Sequence, residues 1–178
     1  GIRDTSVTGV QTCALPILMD INFWGSVYCT KAALSSIQAN KGVIVGVSSI
    51  AGYRGLPGRS GYSASKFALN GWLEALKTEL YGSGTHVMWV CPGFTSSNIR
   101  NAALNKNAQA QGESPMDEGS MMSAQDCATH IINAIEKRKR ILVLTFTGKR
   151  TVFMNKYFPA WADKLVHRFF FKEGVLVK

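Results

Sequence analysis

Tyr62 and Lys66 are the two residues whose types and spacing point most directly to chemistry. They stand four positions apart in the stretch 61–66, so in a helix they lie one turn apart on one face. A free phenol has a pKa of about 10, and a cation beside it favours the phenolate and eases proton exchange at neutral pH. Alone, this spacing also occurs in chance surface pairs, so the neighbouring residues decide the interpretation.

An apolar run ends at Ser48 and Ser49, just before this pair. Residues 42–47 are rich in β-branched side chains, which is typical of a strand buried on both faces of a parallel sheet. Polar groups at the carboxyl end of such a strand lie where these sheets bind ligands. We therefore expect a serine hydroxyl to share a site with the phenol. A serine hydrolase is not indicated, because no Gly-x-Ser-x-Gly elbow surrounds these serines.

The elements that must position these groups form a strand–helix–strand unit. The apolar stripe of residues 62–81 predicts a helix that stops at Gly82-Ser83-Gly84. Residues 86–91 predict a second buried strand, closed by Pro92-Gly93. Short connections between these elements indicate a right-handed βαβ unit of a parallel sheet.

The remaining segments follow the same logic. Asn22 is unusual inside a predicted helix, because its amide competes for backbone hydrogen bonds. Ser123 is a candidate N-cap with Asp126 near the positive helix end. The patterns predict helices over 19–39 and 123–140 and a third strand over 141–146. The polar segment 94–122 is expected to be a lid, a binding loop or disordered, and residues 151–171 form an aromatic tail that Pro159 interrupts.

Composition indicates one globular domain or part of one. Hydrophobic residues make up 46% and charged residues 17% of 178. No apolar run approaches the roughly 20 residues of a membrane span, and no secretory signal is evident. Four widely spaced cysteines predict reduced thiols in a cytoplasmic protein, with neither disulfides nor a metal site: Cys13, Cys29, Cys91 and Cys127.

The net charge of +9 is concentrated in the tail. From Lys137 onward the chain carries eleven Lys and Arg residues against Asp163 and Glu173. Such a tail attracts nucleic acid, anionic lipid or a phosphorylated ligand, or it is simply a solvated surface. The aromatic residues of the tail leave three interpretations open: packing over the substrate mouth, packing on a partner, and weak contact with a membrane surface.

Residues 1–17 are expected to be foreign to the protein and disordered. Residues 7–17 resemble a one-frame translation of the adapter DNA used in short-read sequencing, which implies that the true start of the gene is lost. The alternative is a genuine N-terminal arm. Thr8-Gly9 is not the start of a glycine-rich phosphate loop, because the later glycines are missing.

Taken together, these residues resemble the short-chain dehydrogenase/reductase family from about Leu18 to Thr147. The resemblance is carried by four features in order: Asn22-x-x-Gly25, the run 42–49 that ends in Ser48-Ser49, Tyr62-x-x-x-Lys66, and Pro92-Gly93. It implies the carboxyl-terminal part of a doubly wound, Rossmann-like α/β domain, with about three parallel strands and flanking helices. The catalytic half would cover 18–150, and 151–178 would be an amphipathic basic tail of the same domain.

The resemblance also implies hydride transfer between NADP(H) or NAD(H) and a carbonyl or alcohol. Tyr62 would be the general acid/base, and Ser49 would hydrogen-bond the substrate oxygen. Lys66 would favour the phenolate and hold the cofactor ribose. Asn22 would bind a water that links Lys66 to solvent.

The cofactor's nicotinamide would lie against residues that follow the second strand. The resemblance places Pro92, Gly93 and Phe94 there. The hydroxyl that meets the carboxamide would be that of Ser97, or less directly that of Thr95. No nucleic acid and no metal is implied. The resemblance implies a homo-oligomer of the full-length protein through the helices that carry Asn22 and Tyr62.

The family's glycine-rich phosphate turn and ribose selector are absent from this sequence. Without them no helix N-terminus holds the pyrophosphate, so we expect the 178-residue polypeptide to bind cofactor poorly and to be inactive, and the intact gene product to be active. The alternative function is a non-catalytic interaction or membrane-surface protein with this fold. The substrate and the choice between NAD and NADP are not determined by these residues.

Overall fold

The amino-terminal helical arm consists of three consecutive parts. The computed structural model describes residues 15–96 and 121–176. Helix α1 (Leu15–Met19) passes into a π-helical segment (Asp20–Trp24) and continues as α2 (Gly25–Ala39). The predicted helix over 19–39 is confirmed, with an extra turn at its start. The foreign origin of residues 1–17 stays a prediction, because residues 1–14 lie outside the described part.

The arm ends where the sequence predicts, at residues 40–42. Lys41 adopts a left-handed backbone with φ of 47°, and the Gly42 amide donates to the Ile37 carbonyl at 2.8 Å. A Cβ on Gly42 would lie 3.2 Å from Ile37 Cγ2, so the small residue allows the chain to turn directly into the sheet.

Three parallel strands form the central sheet in the order β1-β2-β3. The strands are β1 (Val43–Val47), β2 (His86–Cys91) and β3 (Ile141–Val143). Val45 lies opposite Met88, and Val90 lies opposite Leu142. Helices flank the sheet, which confirms the predicted Rossmann-like α/β architecture.

Helix α3 (Ser60–Glu79) covers one face of the sheet. Leu69 and Leu73, each 1% exposed, belong to one apolar cluster with Val87 and Trp89 of β2. Burying a leucine side chain stabilises the fold by roughly 1.5–3 kcal/mol, so these contacts fix the helix against the strands. The helix starts two residues before the predicted Tyr62, within the usual uncertainty of helix ends.

Helix α4 (Ala124–Glu136) covers the other face. Ser123 Oγ accepts a hydrogen bond from the Asp126 amide at 3.0 Å, which confirms the predicted N-cap. The helix ends before the predicted residue 140, because Arg138 adopts a left-handed backbone with φ of 46°. Cys127 and Ala134 are buried against the sheet.

The polar loop predicted over 94–122 is described only at its two ends. There the Ser96 amide donates to the Met122 carbonyl at 2.9 Å, and Thr95 and Met122 form a short parallel bridge. Residues 97–120 lie outside the described part, so the lid or binding role of the loop stays a prediction.

The prediction of a strand through residue 146 is wrong in its second half. β3 pairs with β2 only as far as Cys91 and Val143. Thr145 then has φ of 44°, and its Oγ accepts from the Gly148 amide at 3.1 Å. This hydroxyl caps α5 (Phe146–Tyr157), so the apolar run is divided between a strand and a helix start.

The tail forms two helices and a small hairpin. α5 is followed by α6 (Pro159–Phe170), and Pro159 starts the second helix, a position that proline favours. β4 (Phe171–Lys172) and β5 (Val175–Leu176) pair in antiparallel fashion. No helix in residues 15–96 and 121–176 has the length and apolar character to cross a bilayer.

The tail helices are fixed to the loop that follows β1. Arg54 Nη1 donates to Asn155 Oδ1 at 3.0 Å, and Arg54 Nη2 pairs with Asp163 at 2.5 Å. Asn155 Nδ2 donates to the Tyr53 carbonyl at 2.8 Å. The loop and both tail helices therefore form one unit.

Candidate active site

Helix α3 brings Tyr62 and Lys66 to the carboxyl end of β1. Lys66 Nζ lies 5.8 Å from the centre of the Tyr62 ring and donates to the Val47 carbonyl at 3.0 Å. Burial lowers the pKa of Lys66 from its ordinary value of 10.5, and the nearby Cys91 thiol acts in the opposite sense. The ammonium therefore lies over the face of the Tyr62 ring, at the strand end that carries the serines.

Ser49 follows β1 and starts a 3₁₀ turn (Ile50–Gly52). Its Oγ accepts from the Ala51 amide at 3.2 Å, which fixes the side-chain rotamer. Accepting this bond leaves the hydroxyl proton free for a substrate oxygen. The neighbouring Ser48 is 4% exposed and turned into the protein, so Ser49 is the more accessible of the two hydroxyls.

The turn that carries Ser49 is clamped to the helix that carries the Tyr–Lys pair. Asn70 Nδ2 donates to the Gly52 carbonyl at 2.9 Å. A Cβ on Gly52 would lie 2.8 Å from the Lys66 carbonyl oxygen and 2.6 Å from Asn70 Nδ2. Sequence reasoning missed both Gly52 and Asn70. The available signal was a polar residue one turn beyond Lys66 on the buried side of a helix.

Asn22 reaches α3 through Ser65, the residue before Lys66. Its Nδ2 donates to Ser65 Oγ at 3.1 Å, and Ser65 Oγ donates to the Tyr62 carbonyl at 2.8 Å. The Asn22 carbonyl accepts from Ser26 Oγ at 3.0 Å. The π-helical segment thus places the Asn22 amide against the helix of the Tyr–Lys pair, and Ser65 is a link that the sequence did not reveal.

The loop after β2 carries the residues expected around the nicotinamide. Gly93 has φ of 80°, and a Cβ there would lie 2.7 Å from Thr145 Cγ2, so only glycine fits without strain. Pro92 is half-buried, and Phe94 is 52% exposed. Thr95 Oγ1 is buried and has no hydrogen-bond partner among the described residues. Ser97 lies outside the described residues.

Cys91 is a buried thiol that interacts electrostatically with the Lys66 ammonium. Cys91 is 0% exposed, and burial raises the pKa of its thiol to about 12, although Lys66 acts against this shift. Such a thiol is neutral and poorly nucleophilic near pH 7. Residues 15–96 and 121–176 contain no cluster of three or more His, Cys, Asp or Glu side chains that could hold a metal ion.

The parallel sheet with Ser49, Tyr62 and Lys66 around the end of its first strand defines a doubly wound α/β protein with a polar site at the carboxyl edge. The sequence matches the family model of the short chain dehydrogenases over residues 3–108. The chain belongs to this family, which confirms the resemblance drawn from its motifs.

Similar curated proteins agree with this family. The chain is 31% identical to dehydrogenase/reductase SDR family member 7B of Mus musculus over 144 residues, 80% of this chain and 45% of that protein. It is 34% identical to 11-beta-hydroxysteroid dehydrogenase 1A of Arabidopsis thaliana over 132 residues, 69% of this chain and 37% of that protein. The chain thus spans less than half the length of these relatives.

Solved structures share the fold. A short chain dehydrogenase from Burkholderia cenocepacia J2315 in complex with NADP has a TM-score of 0.74 at 17% identity, covering 90% of this chain and 64% of that chain. A short-chain dehydrogenase from Sphingobium yanoikuyae in complex with NADPH has a TM-score of 0.60 at 17% identity, covering 92% and 59%.

Proposed function

We propose that these residues serve an NAD(P)-dependent oxidoreductase that interconverts a carbonyl and an alcohol. The observation that carries the proposal is the placement of the Lys66 ammonium between the Val47 carbonyl and the Tyr62 ring, at the strand end where Ser49 follows. The family and the dehydrogenase and reductase names of the relatives support the same reaction class. The activity is proposed for the whole protein, because this chain covers less than half the length of the relatives it matches.

Tyr62 is the proton donor and acceptor of the proposed reaction. In reduction its hydroxyl gives a proton to the substrate oxygen, and in oxidation its oxygen receives that proton. Ser49 Oγ donates a hydrogen bond to the same oxygen and stabilises the negative charge that develops there. Lys66 supplies positive charge beside the phenol, and Asn22 orients the helix through Ser65.

The residues present fit a nicotinamide cofactor. The buried Thr95 hydroxyl has no hydrogen-bond partner within residues 15–96 and 121–176, and from the loop that follows β2 it can pair with the carboxamide. Pro92, Gly93 and Phe94 would line the ring, and the Lys66 ammonium retains donors for the ribose hydroxyls. When bound, the nicotinamide supplies or accepts the hydride. Ser97, the other candidate for the carboxamide, remains a prediction.

The 178-residue chain alone is proposed to bind cofactor weakly. Its sequence has no glycine-rich turn, and a pyrophosphate is normally held by such a turn at a helix N-terminus. Fluorescence titration of the chain with NADPH should therefore show no saturation in the micromolar range. Saturation there would contradict this part of the proposal.

A homo-oligomer of the whole protein is also proposed. Exposed aromatic side chains lie on the arm and on α3: Trp24 (42% exposed), Tyr28 (63%) and Phe67 (45%). The Trp24 and Tyr28 rings stack at 5.7 Å and so form one apolar surface. Sedimentation of a protein with a double Trp24→Ala, Tyr28→Ala substitution should give a smaller species than the parent.

The activity test requires a polypeptide with a complete nucleotide-binding half. We would join the amino-terminal half of the Mus musculus relative to residues 15–178 and measure NADPH oxidation with a panel of ketones and aldehydes. Tyr62→Phe should lower the carbonyl-dependent rate at least about a hundredfold, because the phenylalanine carries no proton to transfer. Tyr81→Phe, at a tyrosine that is 92% exposed, is the matched control.

The same chimera distinguishes a failure of the proposal from a failure of the chimera to fold. A chimera that melts cooperatively and is stabilised by NADPH is competent to be tested. An undiminished rate in Tyr62→Phe, or NADPH stabilisation without turnover on any carbonyl, would contradict the enzymatic proposal. The second result would favour a non-catalytic protein with this fold.

A further inference from the structure

An exposed aromatic surface runs across both tail helices. We call it the tail patch and define it by Phe153, Tyr157, Phe158, Trp161 and Leu165, which are 54%, 57%, 50%, 67% and 50% exposed. The Phe153 ring lies 4.9 Å from Tyr157 and 6.2 Å from Phe158, and Phe158 lies 6.5 Å from Trp161. These contacts make the patch continuous, whereas apolar side chains scattered singly on a surface need no explanation.

The tail patch is not the side of α6 that packs into the protein core. The opposite side of α6 already supplies the core contacts, because Ala162 and Phe170 are 4% and 8% exposed. The pairing of Asp163 with Arg54 holds that same side toward the loop that follows β1. Trp161 and Leu165, one turn apart, are thus held outward by a helix that is anchored on its other side.

Basic side chains border the patch. Lys164 and Arg168 line a shallow recess of about 380 Å³ together with Trp161 and Leu165. Lys156 Nζ lies 5.4 Å from the centre of the Tyr157 ring. After Glu136 the sequence contains only two acidic residues, Asp163 and Glu173, and Asp163 is engaged by Arg54.

We propose that the tail patch docks on the surface of an anionic lipid bilayer. Aromatic side chains with a lysine and arginine border are the chemistry of the membrane–water interface, and cationic side chains complement anionic headgroups. A second copy of the same patch is a poorer occupant, because its excess of positive charge would repel this one. The proposed membrane contact is peripheral, since neither tail helix is long and apolar enough to cross a bilayer.

Vesicle cosedimentation of the 178-residue chain tests the proposal. We expect at least about tenfold tighter binding to phosphatidylcholine vesicles that contain phosphatidylserine than to phosphatidylcholine alone, and weakening with salt. The double variant Lys164→Glu, Arg168→Glu should lose this gain. The matched control is Lys137→Glu, Arg140→Glu, which changes the net charge equally at exposed residues outside the patch.

The aromatic contribution needs its own pair of variants. Trp161→Ala with Leu165→Ala should weaken binding at least about fivefold, whereas Tyr81→Ala with Ile132→Ala should not. Brominated lipids should quench tryptophan fluorescence in the parent and less in Trp161→Phe. Circular dichroism melts establish that each variant is folded.

Four results would overturn the proposal. Equal losses of vesicle binding in both charge variants would indicate that net charge alone drives binding, and equal affinity for neutral and anionic vesicles would rule out recognition of anionic lipid. Equally tight binding to soluble polyglutamate would indicate an acidic protein partner. Self-association through the patch without vesicle binding would indicate that a second copy of the chain occupies it. None of these readouts involves cofactor or turnover, so the outcome is independent of the oxidoreductase proposal.

Discussion

At the scale of single residues, the geometry of the candidate site depends on contacts between groups far apart in sequence. The positions of Tyr62 and Lys66 on one helix, and of Ser49 after one strand, follow from the sequence pattern, whereas their catalytic roles stay predictions. Asn70 leaves one signal, a polar residue one turn beyond Lys66, but its partner Gly52 lies 18 positions away, so the sequence does not predict the bond between them.

Gly52→Ala is the sharpest test of this clamp. The added methyl would meet the Lys66 carbonyl, a backbone atom that cannot turn aside, so we expect a loss of about 1–3 kcal/mol in the free energy of unfolding. Urea denaturation measures it. Gly55→Ala is the matched control in the same loop, because a Cβ there has no neighbour within 4 Å. Equal losses at both positions would mean that the clamp is not the cause.

Cys91 gives the fold a specific pH dependence. Burial raises the pKa of this thiol from 9.0 to about 12, so it stays protonated in the folded state while the unfolded thiol ionises. The contribution of the protonated thiol to the free energy of unfolding is therefore complete below pH 9. It falls as the pH rises toward about 12, and the total loss is at most about 4 kcal/mol.

The alkaline experiment compares the parent with Cys91→Ala. Lys66 changes stability in the opposite direction, because its lowered pKa makes its burial less costly as the pH approaches 10.5. Both proteins contain Lys66, so the comparison isolates the thiol. Denaturant unfolding at several values above about pH 8 should show the parent losing stability relative to the variant. Parallel pH curves would refute the buried-thiol explanation.

At the scale of elements, most helices and strands follow from periodicity, and the errors lie at their ends. The apolar run 141–146 carries no sign of where β3 stops, because the boundary is set by the length of the β2 ladder and by the backbone of Thr145. Likewise, the sequence predicts an amphipathic basic tail that Pro159 interrupts, but it does not predict what anchors that tail. Arg54 lies more than a hundred residues from Asn155 and Asp163.

Arg54→Ala should loosen both tail helices from the loop that follows β1. Arg54 is 17% exposed on its side chain and makes two charge-assisted contacts, so its loss should cost about 1–2 kcal/mol. Hydrogen exchange should accelerate in α5 and α6 while β1 and β2 keep their protection. Arg59→Ala, at an exposed arginine of the same loop, should leave all these elements unchanged. Unaltered exchange in α5 and α6 would show that other contacts hold the tail.

At the scale of the whole molecule, β1 lies at an edge of the sheet. Within residues 15–96 and 121–176 it pairs with β2 only. A cavity of about 490 Å³ lies beside it, bordered by α2 and α3 and lined largely by apolar side chains. Exposed apolar edge strands are templates for pairing with another strand.

We therefore expect the 178-residue chain to self-associate at micromolar concentrations. Val47, 56% exposed at the end of β1, is the residue to change. Val47→Lys should shift analytical ultracentrifugation profiles toward the monomer, since edge lysines oppose strand pairing. Val175→Lys, at a valine 63% exposed in β5, adds the same charge elsewhere and should not. A monomeric parent would contradict the expectation.

The π-helical segment Asp20–Trp24 has a consequence for how this protein can change length. A turn of this kind holds about one residue more than an α-helical turn, and each residue rotates an α-helix by about 100°. Deleting one residue there would replace the wide turn by an ordinary α-helical turn of the same full rotation, so Leu15–Met19 would keep its contact with α3. The segment thus accommodates one extra residue without rotating the helix upstream, whereas deleting one residue from the regular helix α2 would rotate everything before it by about 100°.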